Sequence, residues 1–140
     1  MNQHEQRHPV ERQPQPEFPQ QDQAHPGETE PMEPRPDHGE DSYEGHGLLE
    51  NRRTVITGGQ GLAGNLAERG ARVNAVAPGP MWTPLIPATL PDTSEFGAQR
   101  PLNRPAQPAE MAPAYVFLAS QQAGYITAEI VNATGGTPLP

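Results

Sequence analysis

The sequence contains no lysine and no cysteine. Without cysteine, disulfides and thiolate metal sites are excluded. Without lysine, every permanent side-chain cation is an arginine, and no ε-ammonium is available to activate a neighbouring phenol. Long apolar runs are also missing: stretches such as residues 114–119 fall far short of a bilayer span. No apolar core follows Met1, so a secretory signal is not expected. These absences point to a cytoplasmic protein with no membrane partner.

What is there divides sharply. Residues 1–50 hold 12 of the 17 acids against three arginines, a net of −9, whereas residues 51–140 hold five acids and six arginines, a net of +1. The front of the chain is therefore strongly acidic, which repels phosphate and argues against nucleic acid as a partner. All five histidines (His4, His8, His25, His38 and His46) lie there at irregular spacings. Closed metal sites need ligands gathered by local structure, so no metal site is expected from them. In residues 1–47, Val10, Phe18, Met32 and Tyr43 are isolated among Gln, Pro, Glu and His. Such a segment buries too little apolar surface to offset an ordering entropy of about 1–2 kcal/mol per residue. It reads as a disordered acidic, Pro/Gln-rich tail with polyproline-like character near residues 31–36, and residues 48–140 as the folded domain.

From Arg52 the pattern changes. Residues 54–57, Thr-Val-Ile-Thr, form a β-branched run stopped by Gly58 and Gly59, the pattern of a buried strand and turn. Residues 62–69 place Leu62, Ala63, Leu66 and Ala67 on one helical face, with Gly70 where a C-cap belongs. Residues 73–77 are a second strand, closed by Pro78-Gly79. This strand–helix–strand unit leaves about 15 connecting residues, enough for a parallel crossover. Residues 80–107 carry six prolines and little periodicity, the mark of a functional or mobile loop, with a helical turn at residues 95–99. Pro108-Ala109-Glu110 starts a helix running to about Ser120, with proline in the first turn and an acid at the positive end of the dipole. Residues 125–131 read as a last strand before Gly135-Gly136. About 90 residues bury only roughly 60–65% of their surface, so the domain is expected to be marginally stable.

Three stretches carry a family resemblance. Val55-Ile56-Thr57-Gly58-Gly59 resembles the strand and glycine-rich turn that opens the short-chain dehydrogenase/reductases. Residues 65–87, NLAERGARVNAVAPGPMWTPLIP, are similar to the end of that family's catalytic helix, the next strand and its Pro-Gly-x-x-x-Thr turn. Residues 104–136 match its Arg-Pro…Pro-Ala-Glu…Tyr-Val-Phe-Leu-Ala-Ser…Tyr-Ile-Thr…Gly-Gly ending, and residues 41–45 resemble the lead-in of a bacterial subgroup with acidic, Pro-rich N-termini. The resemblance covers about residues 43–140. It implies an α/β fold: a partial Rossmann-like, three-layer domain with a short parallel sheet. It also implies NAD or NADP as cofactor and hydride transfer between nicotinamide and an alcohol or carbonyl.

By the same resemblance, Thr57, Gly58, Gly59 and Gly64 would lie at the pyrophosphate, and Pro78, Gly79, Met81 and Thr83 along the nicotinamide. The residues alone leave two readings of Gly58-Gly59 and Pro78-Gly79: edges of a nucleotide crevice, or turns beside strands. The family's glycine pattern fits at Gly58 and Gly64 but meets Leu62 where a glycine belongs. Between Gln60 and Gly61 the resemblance jumps from the first strand and turn to the end of the catalytic helix, which omits the family's catalytic serine and its Tyr-x-x-x-Lys pair. The residues four beyond Tyr43, Tyr115 and Tyr125 are Gly47, Ala119 and Glu129. No catalytic residue is therefore assigned, and little activity is expected from this chain alone. The alternatives are a residual nucleotide-binding module or a homo-oligomer built through the C-terminal helix and strand, where the family commonly makes subunit contacts.

Overall fold

The computed structural model describes residues 8–40, 42–48 and 63–138. The strand expected at residues 54–57 lies outside them. In chain order the elements are α1 (Ala63–Ala67), β1 (Ala75–Pro78), α2 (Leu85–Thr89), α3 (Pro108–Ala119), a 3-10 turn (Gln121–Ala123) and β2 (Ile130–Ala133). β1 and β2 pair in parallel, with Ala75 opposite Ile130 and Pro78 opposite Ala133. The described part is thus a partial α/β, Rossmann-like fragment around a two-stranded parallel sheet.

Local chemistry explains most boundaries. α1 closes as expected at Gly70: Gly70 N–H donates to the Ala67 carbonyl (2.9 Å) and Ala71 N–H to that of Leu66 (3.1 Å), the paired bonds of a Schellman end. α3 begins at Pro108, as expected, and Glu110 Oε2 accepts from the Gln107 N–H at 2.9 Å, satisfying one of the orphan donors of a helix start. At its other end Arg72 supplies what the helix lacks. Its guanidinium donates to the carbonyls of Leu118 (2.8 Å), Ser120 (3.1 Å) and Ile126 (3.2 Å). A cation there meets both the unpaired carbonyls and the negative end of the dipole.

The strand registers differ from the sequence expectation. β1 starts two residues later than residues 73–77, and β2 is Ile130–Ala133 in place of residues 125–131. The cause is Asn74. Its side chain donates to the Ile126 carbonyl (3.0 Å) and accepts from the Glu129 N–H (3.1 Å). Val73 N–H is taken by Thr127 Oγ1, and Ala128 turns through a positive φ of 62°. Regular pairing begins only past this clamp, with the Ala75 N–H on the Glu129 carbonyl at 2.9 Å.

The 80–107 stretch holds more structure than the expected loop with one helical turn. Residues 94–99 do form successive turns, but α2 is an added short helix after Pro84. Around it sits a core cluster of Phe18, Met32 and Trp82, with Ile86 and Phe96 packed against it. Phe18 and Met32 are isolated in the sequence reading of residues 1–47 as a disordered tail; here they are 5% and 4% exposed. Among the described residues, no helix is long and apolar enough to cross a membrane.

Candidate functional site

The carboxyl ends of β1 and β2 lead into one region, the usual place for ligands in open α/β sheets. At the end of β1 the Gly79 N–H donates to the Ala133 carbonyl at 2.9 Å. A Cβ on Gly79 would stand 2.9 Å from Thr134 Cα and 3.0 Å from its carbonyl oxygen, so the close approach of the two chains requires glycine. Gly79→Ala is expected to force them apart and cost about 1–3 kcal/mol, read as a lower denaturation midpoint; an unchanged midpoint would show that the contact has slack.

Beyond Gly79 the chain pairs once more. The Ala106 N–H donates to the Pro80 carbonyl (2.8 Å), and the Trp82 N–H to the Ala106 carbonyl (2.9 Å), a parallel bridge centred on Met81. In such a bridge the flanking residues make both bonds, and the central N–H and C=O face the opposite edge. Met81 therefore presents one backbone donor and one acceptor away from Ala106. Two residues on, the Thr83 carbonyl accepts from the Ile86 N–H at 3.0 Å and opens α2; among the described residues the Thr83 hydroxyl has no hydrogen bond.

A cavity of about 510 Å³ lies beside the strand ends, lined by Gly79, Pro80, Arg100, Arg104, Asn132 and Gly135 among others. Arg104 is 6% exposed. Its guanidinium makes a two-pronged pair with Glu110, both bonds 2.8 Å, so its charge is neutralised where it sits. Arg100 donates to Thr137 Oγ1 at 3.2 Å and has no acid partner among the described residues. Away from the cavity, Ser94 holds the exposed Asp92 carboxyl below its ordinary value, through its backbone N–H and then its hydroxyl.

The sequence-assigned residues separate into three groups. Pro78, Gly79, Met81 and Thr83 are brought together in one stretch at the end of β1, although only Gly79 of them lines the cavity. Gly64 lies in α1 with no heavy atom within 4 Å of a Cβ built on it. Thr57, Gly58 and Gly59 lie outside the described residues. Sequence reasoning missed Arg72, Asn74 and the Arg104–Glu110 pair, whose partners come from elements distant in sequence or across a turn. The Arg-Pro…Pro-Ala-Glu spacing was the available signal for the last.

Comparison with known proteins agrees with this architecture. Residues 52–137 match the family described as enoyl-(acyl carrier protein) reductase. The chain is 42% identical over 102 residues to the uncharacterized oxidoreductase YhxC of Bacillus subtilis, covering 69% of this chain and 36% of that protein. It is 42% identical over 102 residues to NADPH-dependent aldehyde reductase 1, chloroplastic, of Arabidopsis thaliana, covering 68% and 35%. A short-chain type dehydrogenase/reductase from Mycobacterium marinum superposes with a TM-score of 0.53 at 31% identity, over 58% of this chain and 32% of that one. The chain thus spans about a third of the length of these relatives. With the parallel strand pair, the Pro78-Gly79 turn and these matches together, the chain belongs to the short-chain dehydrogenase/reductase family of oxidoreductases.

Proposed function

We propose that this chain carries the nicotinamide-facing wall of an NAD(P)-dependent oxidoreductase and does not itself transfer hydride. The observation that carries the second half is the absence of any lysine, with Gly47, Ala119 and Glu129 four residues beyond the three tyrosines. A tyrosine that exchanges a proton with an alcohol or carbonyl at neutral pH needs its phenol pKa lowered by a nearby cation. An arginine is a poor substitute, because its planar fork is larger and of different reach.

The first half is supported by Met81. The edge it turns away from Ala106 offers an N–H donor and a C=O acceptor side by side, the complement of a carboxamide. The residues present therefore fit the nicotinamide end of the cofactor, with the Thr83 hydroxyl available two residues along. Bound there, a nicotinamide would supply the hydride. The chain's own contribution is to orient the ring through Met81, and to keep the wall in place through Gly79 and the Ala106 bridge. The relative named as an NADPH-dependent aldehyde reductase makes carbonyl reduction the ancestral chemistry to test.

Fluorescence titration with NADH and NADPH tests the wall: saturable binding below millimolar concentration supports it, and a linear response removes it. A hydride-transfer assay tests the missing chemistry. No turnover of aldehydes or alcohols is expected, and robust turnover overturns the reading.

A further inference from the structure

The acidic front segment does not run away from the body. The Phe18 N–H donates to the Ser94 carbonyl (3.0 Å) and the Gln23 N–H to the Pro87 carbonyl (3.3 Å). Gln20 Nε2 reaches the Pro91 carbonyl at 2.5 Å. Asp37 N–H donates to Gln107 Oε1 (2.8 Å), and the Asp37 carbonyl accepts from Ala109 N–H (2.9 Å). The centre of this contact is Trp82, which is fully buried. Its Nε1–H donates to the Pro34 carbonyl at 2.6 Å, and its ring lies 4.6 Å from that of Phe18, centroid to centroid. Gly27, at a φ of 86°, passes so close to Pro84 that any side chain would overlap the Pro84 carbonyl.

We propose that residues 17–37 are an intramolecular strap, and that Phe18 and Trp82 are positioning residues which hold Met81 and Thr83 in the nicotinamide-side wall. Trp82 stands between those two residues in sequence, so seating its indole fixes the backbone on both sides. Two of its restraints, the Phe18 ring and the Pro34 carbonyl, come from the strap. A buried indole N–H requires an acceptor, and among the described residues the Pro34 carbonyl is the one it has. The strap's prolines limit its freedom before docking and so lower the entropy lost on docking. Of its acids, Glu17, Asp22, Glu28, Glu30 and Glu33 are exposed and Asp37 is half-buried, its carboxylate accepting from the Ser42 hydroxyl; attachment therefore rests on apolar contacts and uncharged hydrogen bonds and is expected to survive high salt. The positioning role rests on the nicotinamide-side reading; the docking does not.

Native-state hydrogen exchange on the full chain tests the docking. The Gln23, Trp82 and Leu90 amides are expected to exchange as one cooperative unit. Gln23 exchanging at free-peptide rates beside a protected Trp82 would overturn the strap, and this comparison needs no variant. In Phe18→Ser, protection of the Trp82 and Leu90 amides is expected to fall about tenfold or more, with Ser120 keeping its own. Trp82, the chain's single tryptophan, is then expected to emit further to the red. Phe18→Leu restores most of the protection. Unchanged protection in Phe18→Ser overturns the proposal. The positioning role is read by NADH titration of the same variants. Affinity weakened about tenfold in Phe18→Ser and recovered in Phe18→Leu supports it, and equal affinity with a lifted strap overturns it. If the unaltered chain does not bind NADH, the nicotinamide-side reading and the positioning role both fall, and hydrogen exchange still decides the strap.

Discussion

Glu110→Ala is expected to destabilise the domain by about 3–5 kcal/mol, because it leaves the Arg104 guanidinium buried without its counter-charge. Arg104 has little access to water, with its side chain only 5% exposed. Its remaining partners are the carbonyls of Pro105 and Pro9, each at 3.0 Å. The same substitution removes the acceptor for the Gln107 N–H and weakens the start of α3 by about 1 kcal/mol more. Folded domains of this size hold only about 5–15 kcal/mol in total. The thermal midpoint should therefore fall by roughly 12 °C or more. The double variant Arg104→Met/Glu110→Leu removes both charges and should recover much of the loss. A thermal scan of the three proteins closes the cycle. A single Glu110→Ala chain as stable as the parent would show that water reaches Arg104.

Trp82→Ala is expected to cost about 3–5 kcal/mol, the usual range for emptying an aromatic core site. The indole is fully buried and is the common neighbour of Phe18 and Phe96, at ring-centroid distances of 4.6 and 6.0 Å. Its removal would leave a void facing both rings and orphan the Pro34 carbonyl. Trp82→Phe separates the two effects. It keeps most of the ring volume and loses the Nε1–H donor, so it should cost about 1–3 kcal/mol. Denaturant midpoints for the two variants measure the difference. Equal losses would mean that the hydrogen bond, not the packing, dominates.

How much of this was legible in the sequence depended on how far apart the interacting residues lie. The start of α3 at Pro108 and the close of α1 at Gly70 were readable because proline, acid and glycine act within one turn of their own positions. The two strands were readable as short runs ahead of Pro78-Gly79 and Gly135-Gly136, but not their bounds. Those are set by Asn74 reaching across to the 126–129 segment, a contact more than fifty residues distant in sequence. α2 was hidden because Pro84 and Pro87 interrupt the helical pattern, and its single turn is closed by the Thr83 and Ile86 carbonyls. Phe18 and Met32 looked isolated because their partners Trp82, Ile86 and Phe96 stand fifty or more residues further along the chain. For the candidate site, the Pro78-Gly79 turn and the segment through Thr83 were legible as a motif. The facing of the Met81 backbone was not, since it depends on Ala106 from another strand-like segment.

The measurement that bears most directly on the account is a hydride-transfer assay on the purified full chain, with NADH and NADPH in turn and aldehydes as acceptors, run at enzyme concentrations comparable to the cofactor's. The account predicts that cofactor oxidation stays at the rate seen without protein, even in samples where NADH or NADPH titrates to saturation. Cofactor oxidation that rises in proportion to added chain and requires the aldehyde would contradict it, because this chain has no lysine to set a tyrosine to that task.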